Sequence, residues 1–162
     1  MNDIKFELAK VNDIPIILEI IKERCDWFLK NKIQQWDSWY YEDLYDDKYF
    51  LETMKKNNLY VVKNNEEIIG LFLLKYENDK YWKDSQPAIY LDHFVTKLGY
   101  PGLGEKILEF IRNKAHEKNL KYLRLDCMRC NPKINEYYQK HGFKNKGEGN
   151  EPYEYRLWEM EL

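Results

Sequence analysis

The chain has 162 residues, of which 44% are hydrophobic, 16% aromatic and 33% charged. That length suits a single domain over 1–162, able to bury roughly 70% of its unfolded surface without a disulfide or metal staple. Fourteen Tyr and five Trp exclude a disordered segment, and a formal charge of −2 leaves no global basic field to hold a nucleic acid. No apolar run is long enough to span a bilayer, and Met1-Asn2-Asp3-Ile4-Lys5-Phe6 lacks the basic flank, apolar stretch and cleavage site of a signal peptide. Cys25, Cys127 and Cys130 are an odd, irregularly spaced set, which fits free thiols and a cytoplasmic location. Cys127-Met128-Arg129-Cys130 spells C-x-x-C, but no second pair or spaced histidines accompany it, so no metal is expected.

In chain order, the alternation over 5–9 reads as a first strand. Asn12 or Asp13 can cap a helix with Pro15 in its first turn, and Ile16, Ile17, Ile20, Ile21, Cys25 and Phe28 repeat at helical spacing. Residues 34–50 mix seven aromatics, Trp36, Trp39, Tyr40, Tyr41, Tyr45, Tyr49 and Phe50, with five acids, Asp37, Glu42, Asp43, Asp46 and Asp47. A helix is expected over 47–56. Strands over 59–63 and 68–76 flank Asn64-Asn65, a natural hairpin turn. A strand over 88–96 precedes an amphipathic helix over 103–118 that carries Leu103, Ile107, Leu108, Ile111 and Ala115 on one side. After a strand over 120–127, Asn131 reads as an N-cap with Pro132 at the first helical position, and Gly142 ends that helix. Strands over 143–146 and 153–160 close the chain. The order β-α-α-β-β-β-α-β-α-β-β predicts an α+β fold, a mixed sheet with helices on its faces.

Three of the seven glycines fall in Gly99-Tyr100-Pro101-Gly102-Leu103-Gly104, between a strong strand and a strong helix. Such a turn exposes consecutive backbone N–H groups at the positive end of a helix dipole, which suits a phosphate or pyrophosphate. The spacing is neither G-x-G-x-x-G nor a P-loop. The stretch 89–143 resembles the heart of the GNAT acyl-CoA N-acetyltransferase superfamily. There a strand is followed by a [Q/R]-x-x-G-x-[G/A] loop, matched here at Gly102 and Gly104 with Gly99 in place of Gln/Arg. The N-x-x-A-x-x-x-Y-x-x-x-G-F motif falls on Asn131, Ile134, Tyr138, Gly142 and Phe143.

The resemblance implies a mostly antiparallel central sheet and acetyl-CoA as cosubstrate, held by Phe94, Val95, the loop Gly99, Tyr100, Pro101, Gly102, Leu103 and Gly104, and by Asn131 and Tyr138. The strand backbone can pair with the pantetheine arm, and an N–H near Phe94 or Val95 can polarise the thioester carbonyl. Tyr138 would protonate the departing thiolate. An amine acceptor arrives protonated at neutral pH, so a base or a water chain is needed. Asp92 and His93 are the candidates, expected to point to opposite strand faces so that at most one looks into the site. His141 reads as a charge at a helix C-terminus.

The expected activity is therefore acetyl transfer from acetyl-CoA to a primary amine of a small molecule or peptide. The acidic, aromatic segment 34–50 suits a cationic acceptor. The alternative is a non-catalytic acyl-CoA-binding module on the same fold. No nucleic-acid or membrane partner is expected, and the chain would act as a monomer or homodimer.

Overall fold

Residues 3–36, 41–56, 58–77 and 81–162 are described in the computed structural model of the chain, with Glu42 described by its backbone alone. The first strand, β1 (Ile4–Leu8), leads through a 3₁₀ turn (Val11–Asp13) into α1 (Ile14–Lys30). Asp13 does not cap a helical N–H with its side chain. Its Oδ2 accepts the Lys10 N–H at 2.7 Å and closes the turn ahead of the helix. The buried stripe of α1 starts at Ile14 and continues through Ile17, Ile20, Ile21 and Cys25. Counting from Ile14 at steps of three and four leaves Ile16, expected inward, on the outer side and 40% exposed.

A short α2 (Tyr41–Leu44) precedes α3 (Asp47–Lys55). Asp46 caps α3 by accepting the Tyr49 N–H at 3.0 Å. The hairpin of β2 (Leu59–Asn64) and β3 (Glu67–Lys75) pairs Asn64 with Glu67, so its turn is Asn65-Glu66, one residue later than expected. Asn65 takes the left-handed φ of 55° that such a turn needs. Then follow β4 (Ala88–Thr96), α4 (Leu103–Glu117), β5 (Tyr122–Met128), α5 (Pro132–Lys140), β6 (Lys144–Gly149) and β7 (Tyr155–Glu161). Apart from the short α2, the expected order holds.

The sheet runs β1-β2-β3-β4-β5-β7-β6. Among the described strands, β4–β5 is the parallel pair and the others are antiparallel. α1 and α3 pack Ile17, Ile21 and Phe50 on one face, over Val61, Leu71 and Leu73. α4 and α5 pack Ile107, Ile111 and Tyr138 on the other, over Phe72, Leu74, Leu123 and Leu125. β3 is therefore buried on both sides and reads as a continuous apolar run rather than an alternation.

Arg124 of β5 is 1% exposed. Its Nη1 and Nη2 donate to the two carboxylate oxygens of Asp84 at 2.7 and 2.9 Å, and its Nε donates to Glu159 at 2.8 Å. The guanidinium lies 4.3 Å from the Trp82 ring centroid. This cluster ties the connection ahead of β4 to β5 and β7. Arg124→Ala is expected to destabilise the fold by about 3 kcal/mol, at the lower end for a broken buried pair, because Lys146 still pairs with Glu159 at 3.3 Å. Urea denaturation of the two proteins checks it.

Candidate active site

β4 and β5 stay hydrogen-bonded only over Ala88–Tyr122, Ile89–Leu123 and Tyr90–Arg124. Beyond that point β4 continues beside β3 to Thr96, and β5 continues beside β7 to Met128. The two strands part, and a cleft of about 460 Å³ opens between them. Within β4 the register against β3 shifts between Leu71–Val95 and Leu73–Asp92, so His93 and Phe94 together oppose Phe72. This is a β-bulge, with His93 at a left-handed φ of 45°. The bulge overturns the expectation that Asp92 and His93 point to opposite strand faces, while of the two side chains Asp92 alone is exposed and the His93 ring is buried. The extra residue resets the alternation, and both border the cleft.

Their chemistry differs. The Asp92 side chain is 42% exposed, on the cleft. Its Oδ2 accepts from Lys75 Nζ at 2.5 Å and its Oδ1 from the His93 N–H at 3.0 Å. Desolvation opposes its charge, but the Lys75 ammonium and the His93 backbone N–H outweigh it and hold the carboxyl below its ordinary range. His93 is 4% exposed. Tyr41 Oη lies 2.6 Å from its Nδ1 and Tyr49 Oη lies 2.8 Å from its Nε2. Burial pulls its pKa down, more than Asp92 pulls it up, so the imidazole is neutral, donating to one tyrosine and accepting from the other. Burial raises both phenols, Tyr49 to about 12. With both ring nitrogens occupied, His93 clamps α2 and α3 onto the bulge and has no nitrogen left over for a substrate proton.

The glycine loop divides into separate roles. Gly99 and Gly102 hold φ of 86° and 79°, which a side chain would strain. Gly102 is the N-cap of α4 and offers no side-chain acceptor, so past Leu103 the N–H groups of the first turn have no cap from it. Gly104 is needed for packing: a Cβ there would lie 2.4 Å from Tyr137 Oη, so the neighbour that excludes it belongs to α5. Tyr100, Pro101, Gly102 and Gly104 border the cleft beside Phe94 and Val95. Gly99 and Leu103 do not. Leu103 points into the core and bonds its N–H back to the Tyr100 carbonyl at 3.3 Å.

Tyr138 borders the cleft and is 5% exposed, its ring against Phe143 and Trp158. It is a core aromatic that also lines the cleft, and burial keeps its phenol protonated well past the ordinary range. Asn131 also borders the cleft, but its polar atoms are engaged. Oδ1 accepts the Ile134 N–H at 3.3 Å, capping α5, and Nδ2 donates to Gln35 at 3.0 Å. Asn131 therefore positions α5 against the segment after α1. His141, past the end of α5, lies 2.7 Å from the Tyr137 carbonyl and 3.3 Å from Glu105. Cys127, on the β5 wall, has its thiol pushed up to about 12 by burial, and Cys127 and Cys130 are both free thiols. No metal-holding group of His, Cys, Asp or Glu exists among the described residues.

From the segment 34–50, Gln35 and Trp36 border the cleft, and Tyr41, Tyr45 and Tyr49 surround His93. Asp46 is spent on its helix cap, while Asp37, Trp39 and Tyr40 lie outside the described residues. The carboxylates that border the cleft are instead Asp92, Glu105 and Asp126. Asp126 accepts a hydrogen bond from Tyr153. Sequence reasoning missed Asp126 and the α1 side chains Arg24 and Trp27. A polar residue between Leu125 and Cys127 in a buried strand was a signal for the first.

Residues 21–143 match the Acetyltransferase (GNAT) family. The chain is 22% identical to the uncharacterized N-acetyltransferase YesJ of Bacillus subtilis (strain 168), over 95% of this chain and 88% of that protein. It superposes on a GNAT-family acetyltransferase from Listeria monocytogenes with a TM-score of 0.81, 18% identity and coverage of 98% and 95% of the two chains. The PaiA N-acetyltransferase from Thermoplasma acidophilum, solved in complex with coenzyme A, gives a TM-score of 0.78 at 16% identity, with 99% of each chain covered. These likenesses agree with the mixed, mostly antiparallel sheet described above.

The His93 clamp makes stability pH-dependent. A histidine whose folded pKa lies below its unfolded value of about 6.5 contributes stability that is complete above that value and lost as pH falls through the folded one. The melting temperature is therefore expected to drop as pH goes from 7 to 5, and His93→Gln is expected to flatten that slope. Thermal denaturation of both proteins across this range checks it; parallel slopes would refute the neutral clamp.

Proposed function

The chain belongs to the acetyltransferase (GNAT) family, and from that membership we propose that it transfers an acetyl group from acetyl-CoA directly to a primary amine of a small molecule or peptide. The observation that carries this reading is the parting of β4 from β5. It leaves one edge of β4 unpaired beside an uncapped, glycine-led helix N-terminus, with a carboxylate and a protonated phenol on the same cleft.

Each part has a matching task. Backbone groups of Phe94 and Val95 would pair with the pantetheine arm as an added strand, one N–H holding the charge that develops on the thioester oxygen. The N–H groups at the start of α4 would receive the diphosphate. Asp92, ionised and reachable from the cleft, would hold the acceptor ammonium and take its proton, directly or through a water. Tyr138 would supply the proton to the leaving thiolate. The raised Cys127 thiol is a poor nucleophile, which favours direct transfer over a covalent acyl-enzyme. Trp36, with Trp27 and Phe28 of α1, gives the cleft an aromatic wall suited to a cation.

Gly99, where the family carries Gln or Arg, favours a second reading, a non-catalytic acyl-CoA-binding module. Release of CoA over a panel of amines separates the two, since a module would bind acetyl-CoA and release none. Within the enzyme reading, Tyr138→Phe keeps the ring and its packing. It is expected to lower kcat by roughly 10²-fold or more with little change in the KM for acetyl-CoA, because the lost hydrogen bond acts in the transition state. Steady-state kinetics under chemistry-limited turnover checks it, and an unchanged kcat would return Tyr138 to the core alone.

A further inference from the structure

Arg24 lies on the side of α1 that borders the cleft. Its Nη2 donates to the Thr96 carbonyl and to Thr96 Oγ1, the latter at 3.2 Å, and its guanidinium lies 5.4 Å from the Trp27 ring centroid. Among the described residues no carboxylate forms an ion pair with it. Glu23, the nearest acid along the helix, turns to the Leu98 N–H at 3.2 Å instead. Half-burial disfavours the charge on Arg24, and Glu23 only partly restores it. A guanidinium taken partly out of water ordinarily sits on a carboxylate, as Arg124 does on Asp84 and Glu159. Arg24 is held in place on neutral oxygens, with the rest of its fork beside the cleft.

The place it occupies is the point where β4 passes into the glycine loop. That loop offers no cation of its own to a ligand. Lys97 is bound to Glu67 at 2.6 Å, Tyr100 donates to the same carboxylate at 2.9 Å, and Gly99 has no side chain. Lys133, also on the cleft, is exposed on α5 rather than held in the loop. Backbone N–H groups alone would face a diphosphate, and Glu105 stands in the same first turn of α4.

We infer that Arg24 is a phosphate-binding residue, supplying from α1 the charge-assisted contact to the CoA diphosphate that the glycine loop lacks; this rests on the reading of the cleft as a CoA site. Its planar fork suits a phosphate's paired oxygens in a way a lysine's point charge does not.

Calorimetry on the full chain, with CoA and with S-acetylpantetheine, which has no phosphate, tests it. Arg24→Gln is expected to weaken CoA at least about tenfold, as loss of a hydrogen bond to a charged group would, while the affinity for S-acetylpantetheine stays the same. Arg24→Lys should recover part of the loss and also serves if the glutamine variant folds poorly. Equal weakening of both ligands would overturn the proposal, leaving Arg24 as a brace on Thr96. So would unchanged CoA affinity with a raised KM confined to carboxylate-bearing amines, which would assign the guanidinium to the acceptor. Failure of the unmodified protein to bind either ligand would instead refute the CoA site itself, and Arg24's role with it.

Discussion

The separation of β4 from β5 after Tyr90 and Arg124 is the constraint on which the rest of the molecule turns. Each strand keeps its outer neighbour, β3 for one and β7 for the other, so the sheet stays continuous below the fork and open above it. An inner edge of backbone N–H and C=O groups is thereby left without a strand. Buried polar groups of that kind demand a partner, and an extended ligand can provide one. The bulge at His93 belongs to the same event, because a bulge bends and twists the strand that carries it. It also sets Asp92 and His93 side by side along the cleft, the first exposed and the second buried.

What holds the fork open is as specific as what opens it. On one side, His93 is gripped by Tyr41 and Tyr49, so α2 and α3 are anchored to the bulge through a neutral ring. On the other, Arg124 locks β5 to Glu159 and to Asp84 ahead of β4. Asn131 bridges the remaining corner, capping α5 with its oxygen and reaching Gln35 with its nitrogen. Three polar side chains, each buried and each fully engaged, therefore fix the walls. Asp92 and Arg24 are two charged groups on the cleft, and they carry opposite signs.

That separation of sign suits a reaction between an anionic donor and a cationic acceptor. The half-buried guanidinium and the open α4 N-terminus lie at the loop end, and the carboxylate lies along β4 near the fork. Cys127 and Tyr138 share the far wall with both protons retained, since burial raises both groups. A protonated thiol is passive there, whereas a protonated phenol can act as a proton donor. One environment thus separates a bystander from a candidate acid.

Local periodicity and turn chemistry determined much of this protein from the sequence alone. The strand over 88–96, the inward face of α4, the Asn131-Pro132 start of α5 and its end at Gly142 depend on neighbours a few residues apart, and they emerge as read. The glycine loop was legible for the same reason, and at Gly104, which borders the cleft, a Cβ would also crowd Tyr137. The facing of Asp92 and His93, the exclusion of Ile16 from the core, and the presence of Asp126 and Arg24 at the cleft were decided only in three dimensions. A bulge is created by pairing with β3, and the fork by pairing between residues far apart in the chain, as Asp126–Leu157 illustrates. Strand alternation predicts a face only while the register is unbroken, and here the register breaks where the chemistry is proposed to lie.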